Sequence, residues 1–155
     1  MANSTFRRPV VKLAFYAALL ASLIVSSAWA QADAAASAAK ESGAIVTASG
    51  LVYRSLKDGN GPSPAATDKV KVHYRGTFPD GREFDSSYSR NEPAEFPLDR
   101  VIKCWTEGVQ RMKVGGKAKL TCPASIAYGE RGAGKVIPPN ATLQFEVELL
   151  GISGR

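Results

Sequence analysis

Val70, Val72 and Tyr74 alternate with Lys71, His73 and Arg75, the period of a strand with one buried face. The same period recurs where Ala118, Leu120 and Cys122 alternate with Lys117, Lys119 and Thr121, in a strand that Pro123 ends. It is cleanest where Leu143, Phe145, Val147 and Leu149 alternate with Gln144, Glu146 and Glu148. Residues 51–56 read as a further strand, residues 82–85 and 94–98 as short extended pieces, and Pro79-Asp80-Gly81 as a turn. One stretch has another period. Val101, Trp105, Val109 and Met112 recur at four, four and three residues, which predicts a helix of about three turns stopped by Gly115-Gly116. Residues 128–140, rich in Gly and Pro, form a long loop, and long loops in small domains usually carry function. Antiparallel strands with one helix predict an α+β fold, a sheet wrapped over that helix.

The first thirty residues follow a different logic. Arg7, Arg8 and Lys12 precede the apolar run 13–25, and Ser26-Ser27-Ala28-Trp29-Ala30 then supplies small residues where a signal peptidase reads. Residues 1–30 are read as a secretory signal peptide cleaved near Ala30. The run is shorter than the ~20 residues a membrane span needs, and no Cys stands beside it for lipidation, so no stable membrane anchor is expected. Residues 31–48 form a leader, Ala/Ser-rich at its start, which fits a flexible segment or a weak helix. The domain proper then covers residues 49–153.

Composition changes little after that. The 155 residues are 45% hydrophobic and 22% charged, enough apolar area to offset chain entropy in a single packed domain. The three basic residues of the signal segment account for half of the net charge of +6. The remaining Lys and Arg are interleaved with acids, which reads as a solvated face and not as a nucleic-acid surface. Export places Cys104 and Cys122, the two cysteines of the chain, in an oxidising compartment where pairing is expected; two buried thiols that merely pack is the competing reading.

Few chemistries survive inspection. One His and two Cys cannot build a metal site without several carboxylates, and no HExxH, paired CxxC or EF-hand spacing occurs. Residues 129–135 match GxxxxGK, but Val136 stands where magnesium binding needs a hydroxyl, and Pro138-Pro139 follow where a helix should start. Ser86 or Ser87, His73 and Asp85 could be assembled into a hydrolase triad, yet no GxSxG elbow exists and His73 lies on the polar side of its strand. Cys104 lacks a nearby His as base. What remains is a concentration of aromatic and branched residues near loops, with the Asp85 carboxylate beside Phe84 and the Tyr128 hydroxyl at the head of the long loop. Those are the few polar groups that would orient a ligand in an apolar pocket. Val72, Val109, Leu120, Val147 and Leu149 are assigned simply to the core.

Six ordered stretches carry a resemblance: residues 72–74 (VHY), 81–87 (GREFDSS), 101–108 (VIKCWTEG), 112–120 (MKVGGKAKL), 127–129 (AYG) and 137–143 (IPPNATL). Together they resemble the FKBP-type peptidyl-prolyl cis/trans isomerases over about residues 49–152. The resemblance implies a five- to six-stranded antiparallel half-barrel curled around one short helix, with a proline pocket between helix and sheet. Carried onto matching positions, Trp105 forms the floor, Tyr74, Phe84, Val101, Ile102 and Phe145 the walls, and Phe96 the margin. Asp85 and Tyr128 supply polar contacts, and Val136 and Ile137 belong to an overhanging loop. Asp85, Tyr128 and Trp105 are the candidate catalytic residues.

The same resemblance implies an exported, periplasmic or secreted isomerase acting on X-Pro bonds during folding, without metal or cofactor, and open to macrolide inhibitors of the immunosuppressant type. A non-enzymatic module binding proline-containing segments, as chaperone or adaptor, is the rival. Larger secreted relatives carry long N-terminal dimerisation helices, and residues 31–42 are too few for one, so a monomer is expected. Three positions depart from the common pattern: Ala94 replaces a frequent pocket-rim Phe, Ala133 a larger loop residue, and Cys104 the Gly that usually precedes the Trp.

Overall fold

The alternating segments all become strands. A computed structural model describes residues 25–153; most of the signal-peptide assignment, residues 1–24, lies outside the described residues. In chain order the elements are helix α1 (Val25–Ala39), strands β1 (Ala44–Val46), β2 (Val52–Lys57), β3 (Lys69–Thr77), β4 (Glu83–Ser86) and β5 (Ala94–Pro97), helix α2 (Lys103–Gln110), and strands β6 (Lys117–Cys122) and β7 (Leu143–Ser153). Short 3₁₀ turns at Leu98–Arg100 and Ala124–Ile126 complete the set. The strands form one sheet in the order β1-β2-β6-β7-β3-β4, with β5 also on β3, and every pairing is antiparallel. β4 and β5 divide one edge of β3 between them, β4 against residues 75–77 and β5 against residues 69–72.

The sheet has seven strands, more than the five to six expected. The additional one, β1, lies inside the segment read as a leader and is only three residues long, too short for a periodicity to register. The leader itself is not a loose segment where it is described. Residues 31–39 continue α1, whose alanines have high helix propensity, and the helix is tied down by its neighbours. Gln31 Oε1 accepts from the Thr142 backbone N–H at 2.6 Å. Just past the helix, Glu41 accepts from Arg54 at 2.6 Å and Lys119 at 2.8 Å. Ala38 is buried beneath it. No helix among the described residues is long and apolar enough to cross a membrane.

Helix α2 is shorter than its apolar stripe. Of the residues spaced four, four and three apart, only Trp105 and Val109 are helical; Val101 is extended at φ −115° and ψ 174°. Met112 follows the helix in a tighter turn, its N–H donating to Val109 O at 3.1 Å. The spacing reports one buried face and cannot distinguish an α-turn from the tighter turns that prolong it. α2 lies so close on β6 that a Cβ at Gly108 would stand 2.8 Å from both Leu120 methyls. Val72, Val109, Leu120, Val147 and Leu149 are fully buried, the core assigned to them. A disulfide joins Cys104 of α2 to Cys122 of β6, with Cα atoms 5.8 Å apart.

Candidate active site

The register of β3 against β4 sets Asp85 opposite Gly76, two residues beyond the inward-facing Tyr74. The Tyr74 hydroxyl donates to Asp85 Oδ2. The loop after β4 then returns Arg90, whose Nη1 lies 2.6 Å from Asp85 Oδ1 and whose Nη2 donates to the Tyr74 oxygen at 3.0 Å. Burial pushes the Asp85 carboxyl up, but the Tyr74 hydroxyl and the Arg90 guanidinium outweigh it and hold the group below the usual carboxylate range. Asp85 is therefore an anion with both oxygens engaged.

Ser87 pins this loop to the sheet. Its Oγ accepts from the Tyr74 backbone N–H at 2.8 Å, its own N–H donates to Tyr74 O at 3.0 Å, and it is fully buried. His73 Nδ1 does lie 2.9 Å from Ser87 Oγ, and its ring stacks on Tyr88 at 4.8 Å. The triad considered from the sequence still fails, because Ser87 Oγ is turned onto the backbone and Asp85 faces Tyr74 and Arg90.

Trp105 is the floor. The rings of Tyr74, Phe96 and Phe145 meet it edge to face at 5.3, 5.6 and 5.4 Å, the arrangement that aromatic quadrupoles favour. Trp105 Nε1 is buried without a hydrogen-bond partner among the described residues, a penalty of about 1–3 kcal/mol accepted in exchange for a flat apolar base. Phe84 closes the far wall against Phe145 at 5.6 Å. It crosses β3 directly over Gly76, where a Cβ would come within 2.6 Å of the Phe84 ring. The resulting cavity measures about 490 Å³, in the range of small-molecule sites.

Two donors at its mouth are uncommitted. The Ile102 N–H, just ahead of α2, and the Tyr128 hydroxyl have no protein partner among the described residues. Tyr128 lines the cavity and is 42% exposed.

Residues 61–150 match the family described as FKBP-type peptidyl-prolyl cis-trans isomerase. The chain belongs to this family. It is 59% identical over 114 residues to the FKBP-type peptidyl-prolyl cis-trans isomerase FkpA of Aeromonas hydrophila, covering 74% of this chain and 42% of that protein. Against the FKBP-type 22 kDa peptidyl-prolyl cis-trans isomerase of Escherichia coli it is 55% identical over 114 residues, covering 74% of this chain and 55% of that protein. The chain thus spans about half the length of these curated relatives. Among solved structures, a peptidyl-prolyl cis-trans isomerase of Pseudomonas syringae superposes with a TM-score of 0.77 at 38% identity, over 84% of this chain and 96% of that one. FkpA of Escherichia coli superposes with a TM-score of 0.73 at 45% identity, over 83% and 63%. The α+β fold expected from the strand and helix periods is the fold of these FKBP-type neighbours.

Within the FKBP-type fold the cavity gathers most of the expected residues. Tyr74, Phe84, Asp85 and Phe96 line it from the sheet and its loops, Val101, Ile102 and Trp105 from the start of α2, and Tyr128 and Phe145 from the remaining side. Val136 and Ile137 do not line it. Ile137 is 5% exposed and packs into the core, held there by paired backbone hydrogen bonds to Ala133 at 2.9 and 3.0 Å. Val136, next to it, is 57% exposed. Residues 133–137 form a tight turn, so adjacent side chains leave in opposite directions and neither reaches the cavity.

Two residues at the site escaped sequence reasoning: Arg90, which does not line the cavity but engages Asp85 and Tyr74, and Arg100, which lines it. Their only signal was a cation a few residues from Asp85 or Trp105. In a chain with 20 Lys and Arg, that signal has no specificity.

Proposed function

We propose that this chain is a peptidyl-prolyl cis/trans isomerase whose site is the cavity over Trp105. Rotation about an X-Pro amide meets a barrier of ~18–20 kcal/mol because planarity carries resonance energy, and uncatalysed exchange takes tens to hundreds of seconds. No covalent bond need form or break. The twisted amide has lost conjugation, so its carbonyl is less polar, and a dry aromatic site accommodates it better than water does. A site that holds the twisted form more tightly than either planar form is a catalyst. Lowering the barrier by ~4–7 kcal/mol accelerates exchange by roughly three to five orders of magnitude.

In this reading Trp105, Phe145 and Tyr74 grip the prolyl ring. The Ile102 N–H and the Tyr128 hydroxyl donate to the carbonyls flanking the proline. Asp85, kept ionised by Tyr74 and Arg90, fixes the field at the rotating amide. Phe84, Phe96 and Val101 exclude water, while Val136 and Ile137 shape the loop bounding the mouth without contacting the ring. The observation that carries the proposal is the pair of uncommitted donors, Ile102 N–H and Tyr128 hydroxyl, above an apolar floor. It is the polar complement of a peptide with a proline at its centre.

The wider setting belongs to the same proposal. The N-terminal segment directs export, with cleavage near Ala30, and the substrates are exported polypeptides folding in the periplasm. The disulfide is consistent with an oxidising compartment. Macrolides of the immunosuppressant type compete for the cavity. The domain acts as a monomer, with α1 lying against β1, β2 and β6 of its own chain. A proline-peptide exchange assay, by protease coupling or NMR line shape, tests the central claim. Turnover supports an isomerase, whereas saturable peptide binding without acceleration identifies the non-enzymatic binding module.

A further inference from the structure

A second cavity, of about 230 Å³, lies beyond the other end of α2. Met112 and Lys113, just past the helix, form one side, and Tyr53, Ser55, Lys57, Asp58 and Gly59 from β2 and its following loop form the other. Gly116 and Lys117 close it. It shares no residue with the cavity over Trp105.

Its chemistry is uneven. Tyr53 is only 9% exposed, yet its hydroxyl has no hydrogen-bond partner among the described residues. Burial first, then the nearby Asp58 charge, push that hydroxyl's pKa up, with Arg111 opposing, so it stays a proton donor. Lys57 and Lys113 form no ion pair among the described residues. Lys117 is 3.5 Å from Glu146. The one carboxylate at the cavity, Asp58, already accepts from Ser55 Oγ at 2.7 Å. Cations and a hydroxyl with no protein partner therefore exceed the anions that the protein places at the cavity. The Tyr53 ring and the buried Met112 thioether add an apolar wall, which a bare inorganic anion would leave unfilled.

We propose that this cavity is a binding site for a small aromatic carboxylate, its ring against Tyr53 and Met112 and its carboxylate received by the Tyr53 hydroxyl and the Lys57 and Lys113 ammonium groups. The site is independent of the isomerase cavity and stands whether or not the chain isomerises proline. A hydroxyl with no protein partner at the wall of a cavity open to solvent can add one hydrogen bond to a charged ligand group. The lysines at the opening raise the local concentration of anions and weaken in their effect as salt screens them.

The test is an amide-resolved NMR titration of the purified protein at low salt with benzoate, with benzamide as the uncharged counterpart, and with inorganic phosphate as the anion without a ring. Benzoate should produce saturable shifts centred on Tyr53, Gly59, Met112 and Gly116, weakening as salt is added, and benzamide and phosphate should bind at least about tenfold more weakly. Tyr53→Phe should weaken benzoate about tenfold, the loss of a hydrogen bond to a charged group, with prolyl exchange unchanged. Lys57→Ala with Lys113→Ala, which removes no buried group, should weaken it about threefold or more. Benzamide binding equal to benzoate, phosphate binding equal to benzoate, or shifts centred on Trp105 instead would each overturn the proposal. So would undiminished benzoate affinity in both variants.

Discussion

Arg90 completes the coordination of Asp85. Its guanidinium sits 2.6 Å from the oxygen that Tyr74 leaves free, and it also donates to the Tyr74 hydroxyl, so three side chains from β3, β4 and the following loop form a closed triangle. Charge at the cavity wall is thereby fixed in place by side-chain contacts alone.

The triangle sets a pH dependence. Asp85 is held below its ordinary value of 3.8, and a carboxylate depressed by folding contributes stability that is present above the unfolded value and is lost as pH falls through the folded one. Turnover should therefore hold from neutrality down to that ordinary value and decline only below it. Arg90→Ala removes one of the lowering contacts, so the acid limb of the pH–rate profile should move to higher pH. An unmoved limb would show that Arg90 does not tune Asp85.

Direct contact with the amide is tested by Asp85→Ala and Tyr128→Phe. Each should slow exchange by roughly tenfold or more, on the order of one charge-assisted hydrogen bond, while the melting temperature stays within a few degrees. Both variants turning over like the parent would remove these residues from the site.

Trp105→Ala should behave differently, because the ring is the floor of the cavity and part of the core. Stability should fall by about 3–5 kcal/mol together with activity. Denaturant midpoints read the first and the exchange assay the second; a variant as stable as the parent would contradict the packing described.

The disulfide should be worth about 3 kcal/mol for the loop it closes. Mass spectrometry under thiol trapping should find no alkylation and a two-hydrogen deficit. Reduction should lower the melting temperature while the contacts among Tyr74, Asp85 and Arg90 persist. Alkylation of both cysteines in native material would refute the pairing in the cell.

Macrolide competition is expected to be weaker than in relatives with a Phe at the position of Ala94. Ala94 opens β5 opposite Val72 and is partly buried against the core. Ala94→Phe should tighten inhibition severalfold, and unchanged affinity would show that this edge of β3 does not set it.

How much of this was legible before the structure depends on the kind of signal. The alternation in β3, β6 and β7 is long and regular, and each became a strand with its apolar positions buried, as in β7. β1 has three residues and no period, and its place is decided by β2 beside it. Val101 and Met112 belong to the buried stripe but not to the helix, since spacing along the chain does not encode turn type. Most cavity residues were legible through motifs at family spacing. That Ile137 turns into the core was not legible, because the turn that directs it inward depends on its own backbone pairing with Ala133, and Arg90 was invisible because its meaning is a contact across a loop.

The position of β7 has a consequence for the life of the chain. It is the last strand of the described residues and lies in the middle of the sheet, with β6 on one side and β3 on the other; Lys69 at the start of β3 faces Ser153 at its far end. Remove residues 143–153 and two three-stranded remnants are left, each with an open edge ready for unwanted pairing. A polypeptide delivered N-terminus first cannot assemble the centre of this sheet until residues 143–153 have been released, and such long-range closure is slow. The growing chain is thus itself a body in need of shelter, and a premature stop before residue 143 should leave an aggregating fragment.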